Sequence, residues 1–164
     1  MKLPDAEQLT QQLALSIKPR LRAKSVLVGI HTGGAWVAEK VLQLLGGKLP
    51  LGTLDISFYR DDFSRIGLHP QVTPSEIPFE VEDAHIILID DVLHTGRTIR
   101  AAMNELYDYG RPAAIELAVL IDRGGRELPI AADMIGARLE LTEQQNIQVT
   151  LDPNNKLTLS LHER

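Results

Sequence analysis

Two adjacent carboxylates, Asp90 and Asp91, stand between an unbroken apolar run, Ile86-Ile87-Leu88-Ile89, and a hydroxyl-rich turn, Thr95-Gly96-Arg97-Thr98, which is reached through Val92-Leu93-His94. The turn offers what a phosphate needs: a glycine for close backbone approach, free N–H groups at a helix start, two hydroxyls and a guanidinium. Carboxylates repel that same phosphate, so Asp90 and Asp91 must face hydroxyls or positive charge. A ribose whose 5′-phosphate lies in the turn supplies both, through its 2′- and 3′-OH groups and an associated metal. The spacing describes a ribose 5-phosphate clamp. The plain alternative is a buried strand ending in a solvated Asp-Asp pair, with Thr95 as an ordinary helix cap. A receiver domain also places an Asp pair after an apolar strand, but near its N-terminus, whereas this pair lies past mid-chain.

The elements that must hold these residues are legible around them. Four apolar residues without alternation predict a strand buried on both faces, and a helix is predicted from about Gly96 to Tyr109, closed by Gly110 with Pro112 two residues on. Open α/β sheets bind ligands beyond the carboxyl ends of their strands, which is where the two carboxylates fall. Val26-Leu27-Val28-Gly29-Ile30 predicts a second buried strand, running through His31-Thr32-Gly33-Gly34 into a helix from about Ala35 to Leu45. Strand, glycine turn and helix again make an anion site. Ala113 to Ile121 predicts another apolar strand, with Asp122-Arg123-Gly124 at its carboxyl end.

Upstream, Asp5 is a predicted cap with Gln8 reaching back, and Leu9, Leu13, Ile17 and Leu21 mark the inward face of a first helix that Pro19 kinks or divides. Lys18, Arg20, Arg22 and Lys24 crowd its end, where the helix dipole favours cations. Leu51 to Tyr59 predicts a third strand. Arg60 to Glu80 follows with three prolines and little periodicity, a length that suits a mobile loop closing over a site. Met134-Ile135, Leu139 to Leu141, Ile147 to Leu151 and Leu157 to Leu161 predict short strands forming a small C-terminal hood apart from the main sheet. His69, His85 and His162 have no metal-ligand spacing and receive no role.

Composition narrows the rest. At 164 residues the chain fits one domain, 1–164, long enough to bury about 70% of the surface its unfolded form exposes. The absence of cysteine excludes disulfides and thiol metal sites, and no apolar run approaches the roughly 18 residues of a membrane span. A cytoplasmic location is the expectation. A formal net charge of -5 gives no general attraction to nucleic acid, so any such binding must come from a local patch.

Asp90-Asp91-Val92-Leu93-His94-Thr95-Gly96-Arg97-Thr98 resembles the phosphoribosyl pyrophosphate (PRPP) motif of type I phosphoribosyltransferases. With Leu54 to Asp62, Tyr109-Gly110-Arg111-Pro112 and Leu120-Ile121-Asp122-Arg123-Gly124, the chain is similar over nearly its whole length to the PyrR family, pyrimidine regulatory proteins that are also uracil phosphoribosyltransferases. The resemblance implies an α/β type I phosphoribosyltransferase fold: a parallel sheet flanked by helices, a flexible loop and a C-terminal hood. It implies uracil and PRPP as substrates, UMP and pyrophosphate as products, and magnesium held through PRPP rather than directly by the protein. Asp90, Asp91 and Arg60 become the implied catalytic residues. Thr32 and Gly33, with the whole run from Asp90 through Val92, Leu93, His94, Thr95, Gly96 and Arg97 to Thr98, become the PRPP contacts, and Ile121, Asp122, Arg123 and Ile147 the base pocket.

The resemblance further implies a homodimer or homotetramer and, as a second role, binding of pyrimidine-operon RNA when UMP or UTP is held. A nucleotide sensor without catalysis is a third possibility. Two departures from the family pattern bear on these expectations. Gly33 stands where the pyrophosphate loop usually carries arginine, so Gly33→Arg is expected to tighten PRPP binding if the backbone accepts a side chain. Gly125, Ala131 and Ala137 stand where histidine, arginine and lysine are common, leaving Arg126 and the Lys18 to Lys24 cluster as the cations for an RNA. Weak or absent RNA binding is the expectation.

Overall fold

A computed structural model of the protein describes residues 1–56 and 75–164. Five parallel strands make the sheet: β1 (Ser25–Ile30), β2 (Leu51–Leu54), β3 (His85–Leu93), β4 (Ala114–Asp122) and β5 (Met134–Arg138), in the spatial order β2-β1-β3-β4-β5. The central strand is the apolar run with the Asp pair, as its sequence requires, because only a strand covered on both faces tolerates uninterrupted Ile and Leu. Ile87 and Ile89 pack on one face with Leu27, Leu120 and Ile121; Ile86 and Leu88 pack on the other with Val26, Val28 and Val119.

Helices cover both faces. On the first lie α1 (Ala6–Ile17), through Leu9, Leu13 and Ile17, and α2 (Gly33–Leu44), through Val37, Ala38 and Val41. On the second lies α3 (Arg97–Tyr109), through Ile99, Ala102 and Leu106. Asp5 caps α1 by accepting from the N–H groups of Glu7 (2.8 Å) and Gln8 (3.1 Å). The helix stops at Ile17, and Lys18–Arg20 make a 3-10 turn around Pro19, so the proline divides rather than bends it. α3 starts after Gly96, whose φ of 95° is left-handed, and a Cβ there would press on Ile130 at 3.0 Å. Both facts demand glycine.

The C-terminal segment departs from expectation. Met134 and Ile135 belong to β5, which joins the main sheet parallel to β4 instead of entering a hood. No helix spans residues 123–133, and the link runs as irregular chain from the carboxyl end of β4 past the clamp turn and back to the start of β5, with Ile130 and Ala132 packed on the α3 face. Glu127 N and Leu128 N donate to Thr95 O, so hydrogen bonds to the clamp turn replace the usual helical crossover. Leu139 to Leu141 form no strand. The hood is an antiparallel hairpin, β6 (Gln145–Leu151) and β7 (Leu157–Glu163), which turns Ile147, Val149 and Leu157 onto the α1/α2 face.

The predicted third strand ends at Leu54, and Tyr59, Arg60 and Arg65 lie outside the described residues. Most of the closing loop expected from Arg60 to Glu80, residues 60–74, lies outside the described residues as well. Thr53 and Glu76 exchange two backbone hydrogen bonds of 2.8 Å, and Ser75 Oγ both accepts from Asp55 N and donates to Glu105. Ser75 and Glu76 are thereby tied to α3 and β2. Among the described residues no helix is long and apolar enough to cross a membrane.

A second polar cluster lies at the opposite, amino-terminal end of the sheet. His85 is 2% exposed and joins three strands: its Nδ1 shares a hydrogen bond with Ser25 Oγ (2.7 Å), and its Nε2 lies 2.6 Å from Glu116 Oε2. Arg20 pairs with the other oxygen of Glu116, and Arg22 N donates to Ser25 Oγ. The sequence reading gave His85 no role, since its partners come from positions 60 residues upstream and 31 downstream.

Candidate active site

Three carboxyl-terminal strand ends, the start of α2 and the hairpin enclose a cavity of about 330 Å³. Its walls include Thr32 and Gly33 from the β1–α2 turn, Asp90, Asp91, Val92, His94 and Thr98 from the clamp, Arg123 after β4, and Ile147 on β6. Nine of the residues expected from sequence thus line one space.

The carboxylates are held differently. Asp90 is 2% exposed and its Oδ1 accepts from Asp91 N at 2.8 Å. Asp91 is half-buried, and its Oδ1 accepts from Val92 N at 2.8 Å. Each carboxylate is oriented by the next backbone N–H, which satisfies one oxygen before any ligand binds. The start of α2 comes very close to them. A Cβ on Gly34 would lie 2.7 Å from Ile89 O and 2.9 Å from Asp90 Cα, so only glycine allows this approach of helix to strand. A Cβ on Gly33 would overlap Oδ2 of Asp91.

In the clamp turn, Thr95 Oγ1 accepts from Arg97 N (3.2 Å) and Thr98 faces the cavity. The Arg97 side chain, expected to reach the phosphate, donates from Nε to Glu127 Oε1 at 2.8 Å and is not on the cavity wall. Leu93 is 1% exposed and its side chain belongs to the core; its contribution to the turn is a carbonyl that accepts from Arg123 N at 3.0 Å.

Of the expected base pocket, Arg123 and Ile147 line the cavity and Ile121 and Asp122 do not. Ile121 is wholly buried in the core. Asp122 instead takes Arg126, whose Nη2 lies 2.6 Å from its Oδ2, while Gly124 N donates to Oδ1. Burial pushes this carboxyl up, but the hydrogen bonds from Arg126 and Gly124 and the positive charges of Arg126 and Arg138 overcome that and hold it below its ordinary value. Arg126 also donates to Ile130 O (2.7 Å) and His94 O (2.9 Å), which stitches the β4–β5 link to the clamp. His94 completes the stitch by donating from Nδ1 to Gly124 O at 2.9 Å.

Sequence reasoning missed Trp36, Asn146 and Arg164, all on the cavity wall. Trp36 had a signal of its own: it stands three residues after Gly33, hence on the first turn of the helix that opens the site. Asn146 and Arg164 come to the site only through the hairpin, which no local pattern places there.

The sequence matches the Phosphoribosyl transferase domain family over residues 5–154. It is 53% identical over 150 residues to the Bifunctional protein PyrR of Nitrosococcus oceani, covering 88% of this chain and 85% of that one. Identity to the Bifunctional protein PyrR of Pseudomonas fluorescens is 52% over 154 residues, 92% of each chain. Among solved structures, a hypoxanthine phosphoribosyltransferase from Staphylococcus aureus superposes with a TM-score of 0.65 at 20% identity, covering 86% of this chain and 76% of that one. A hypoxanthine-guanine phosphoribosyltransferase from Bacillus anthracis also gives 0.65, at 16% identity and with 85% and 86% covered. These structures share the fold: a parallel sheet between helices. The residues of the clamp, the arrangement of the sheet around it and the identity to its relatives together make this chain a member of the PyrR family of phosphoribosyltransferases.

Proposed function

We propose that the chain converts uracil and PRPP to UMP and pyrophosphate. The observation that carries this is one cavity lined by Asp90, Asp91 and Thr98 of the clamp together with Arg123 and Ile147. Those groups suit a sugar phosphate and a small planar base. In the reaction the C1′–O bond to pyrophosphate breaks through a cationic, oxocarbenium-like ribose. Asp90 and Asp91 accept hydrogen bonds from the ribose hydroxyls and stabilise that cation, and the N–H groups of the Thr95 to Thr98 turn, with the Thr98 hydroxyl, hold the 5′-phosphate. Catalysis is then mostly positioning and electrostatics. Arg60, whose role is the stabilisation of the departing diphosphate, lies outside the described residues.

The donor set also suits magnesium. Among the described residues no three metal-ligating side chains converge, yet a hard cation of this kind is commonly held by one or two carboxylates together with substrate phosphates. The sequence reading has magnesium held through PRPP; Asp91, half-buried on the cavity wall, would be the side chain to share it. When bound with PRPP, magnesium neutralises charge on the leaving diphosphate.

Incubation of the protein with magnesium, PRPP and each nucleobase in turn tests the reading, with UMP expected from uracil. Nucleotide formation from a purine but not from uracil would overturn it. The second reading is an RNA-binding regulator, favoured by one observation: Lys18, Arg20, Arg22 and Lys24 are all exposed at one end of the sheet. It ranks second because the cations nearest the site are absent or committed. Gly125 has a φ of 79°, and a Cβ there would lie 2.6 Å from the His94 ring, while Arg126 spends its guanidinium on Asp122, Ile130 and His94.

A further inference from the structure

Arg123 is 7% exposed, and its Nε has no hydrogen-bond partner among the described residues. Its Nη2 donates to Thr142 O at 3.1 Å, and its backbone is tied to Leu93. A buried donor left unsatisfied is costly, so the missing partner points to a ligand. A second guanidinium shares the space: Arg164 is exposed, its N–H donates to Gln144 O at 2.7 Å, and its side chain joins Arg123 in lining the cavity. Both also line the adjoining space beneath the hairpin. Burial lowers the pKa of Arg123 and the positive charge of Arg164 lowers it further, so the two cations face one another. No ion pair to either arginine forms among the described residues. Asp90 and Asp91 belong to the clamp, Asp122 pairs with Arg126, Glu127 pairs with Arg97, and Glu143 lines the adjoining space beside the two arginines but not the cavity itself.

We propose that Arg123 and Arg164 form a two-guanidinium socket for the carbonyl edge of uracil, stabilising the anion that appears as the ring gives up its N1 proton. The inference rests on the reading of the site as a uracil phosphoribosyltransferase and deepens it. N1 of uracil carries hydrogen and is a poor nucleophile. On loss of that proton to solvent, its charge spreads by conjugation onto O2 and O4, the atoms a guanidinium reaches. The N1 electron pair forms the bond to C1′, the C1′–O pair leaves with pyrophosphate, and no general base is required. His94, which also lines the cavity, spends its Nδ1 proton on Gly124 O, and a cationic socket meets the need of the reaction without calling on it as a base. Fixed charges aimed at developing charge are among the strongest catalytic devices.

The test uses the intact protein and Arg164→Gln, with Arg164→Lys as the charge-keeping variant. UMP formation is measured against pH with uracil and with 5-fluorouracil, whose ring nitrogen is more acidic because fluorine withdraws electrons. Arg164→Gln is expected to lower kcat/KM for uracil by about 10²-fold near neutral pH. The loss should be several times smaller with 5-fluorouracil and should narrow as pH rises, while Arg164→Lys retains most of the activity. An equal loss with both bases at every pH, or none, in a protein that makes UMP normally, overturns the inference alone. If the unaltered protein makes no UMP from uracil, the proposed function fails and the inference fails with it.

Discussion

Gly33 and Asp91 occupy one another's space: a Cβ built on Gly33 would overlap Oδ2 of Asp91 and lie 2.7 Å from its Cγ and 3.1 Å from its Cβ. The carboxylate fills the place that a side chain at position 33 would take, and its other oxygen is held by Val92 N. The gain expected from arginine at this position is therefore blocked unless Asp91 moves. Gly33→Ala should rotate Asp91 off its backbone donor and lower turnover at least about tenfold, a barrier increase of ~1.4 kcal/mol. Gly33→Arg should do the same and not tighten PRPP binding. Calorimetric titration with PRPP and magnesium, beside initial rates, checks both; tighter binding by the arginine variant would show that Asp91 yields freely.

Asp90→Asn and Asp91→Asn remove charge without removing volume. Each should reduce turnover by about tenfold or more while leaving the unfolding midpoint nearly unchanged. The sharper loss belongs to the residue that faces the ribose cation more closely. Unchanged turnover in both variants would falsify the role given to the pair.

At the amino-terminal end of the sheet the outcome is pH-dependent stability. Burial pushes the Glu116 carboxyl up, but hydrogen bonds from His85 and Arg20 and the charges of those partners prevail and hold it below its ordinary value. A folded pKa below the unfolded value of about 4.3 stabilises the fold fully above that value, and the contribution disappears as pH falls through the folded value. Glu116→Gln should therefore be less stable than the parent near neutral pH, with the gap closing on acidification below about pH 4. Urea unfolding across that range is the measurement, and a gap that stays constant would assign the loss to packing.

Arg126→Ala should act on the clamp through structure. Three acceptors lose a charged donor and Asp122 is left uncompensated, so a cost of roughly 2–3 kcal/mol is expected, together with a fall in turnover. The same substitution should leave RNA affinity, measured by filter binding with UMP present, at its weak parental level. Submicromolar binding abolished by Arg20→Ala and Arg22→Ala would instead make the exposed cluster beyond α1 an RNA surface.

Much of this site was legible because its signals are local. The Ile86 to Ile89 run of β3 is uniformly apolar, so its burial and its position at the sheet's centre follow from composition, and the Asp pair then falls at a strand end by counting. The turn residues of the clamp announce themselves by type. What was not legible arises from distance. β5 read as part of a hood because its parallel crossover lacks a helix, and the hydrogen bonds that replace one, from Glu127 and Leu128 to Thr95, span more than 30 residues. Asp122 read as a base contact, though its partner four residues on had already claimed it. Arg97 read as a phosphate ligand, and an ion pair with Glu127 takes its Nε instead. Arg164 reaches the cavity only because a hairpin folds back, which no periodicity reports.

Trp36 is the chain's one tryptophan, and it stands half-buried on the cavity wall. Indole emission depends on local polarity and on nearby aromatic quenchers, so the molecule carries an optical probe of its own site. Filling of the base pocket, and the order in which sugar phosphate and base arrive, can be followed in real time with unlabelled protein.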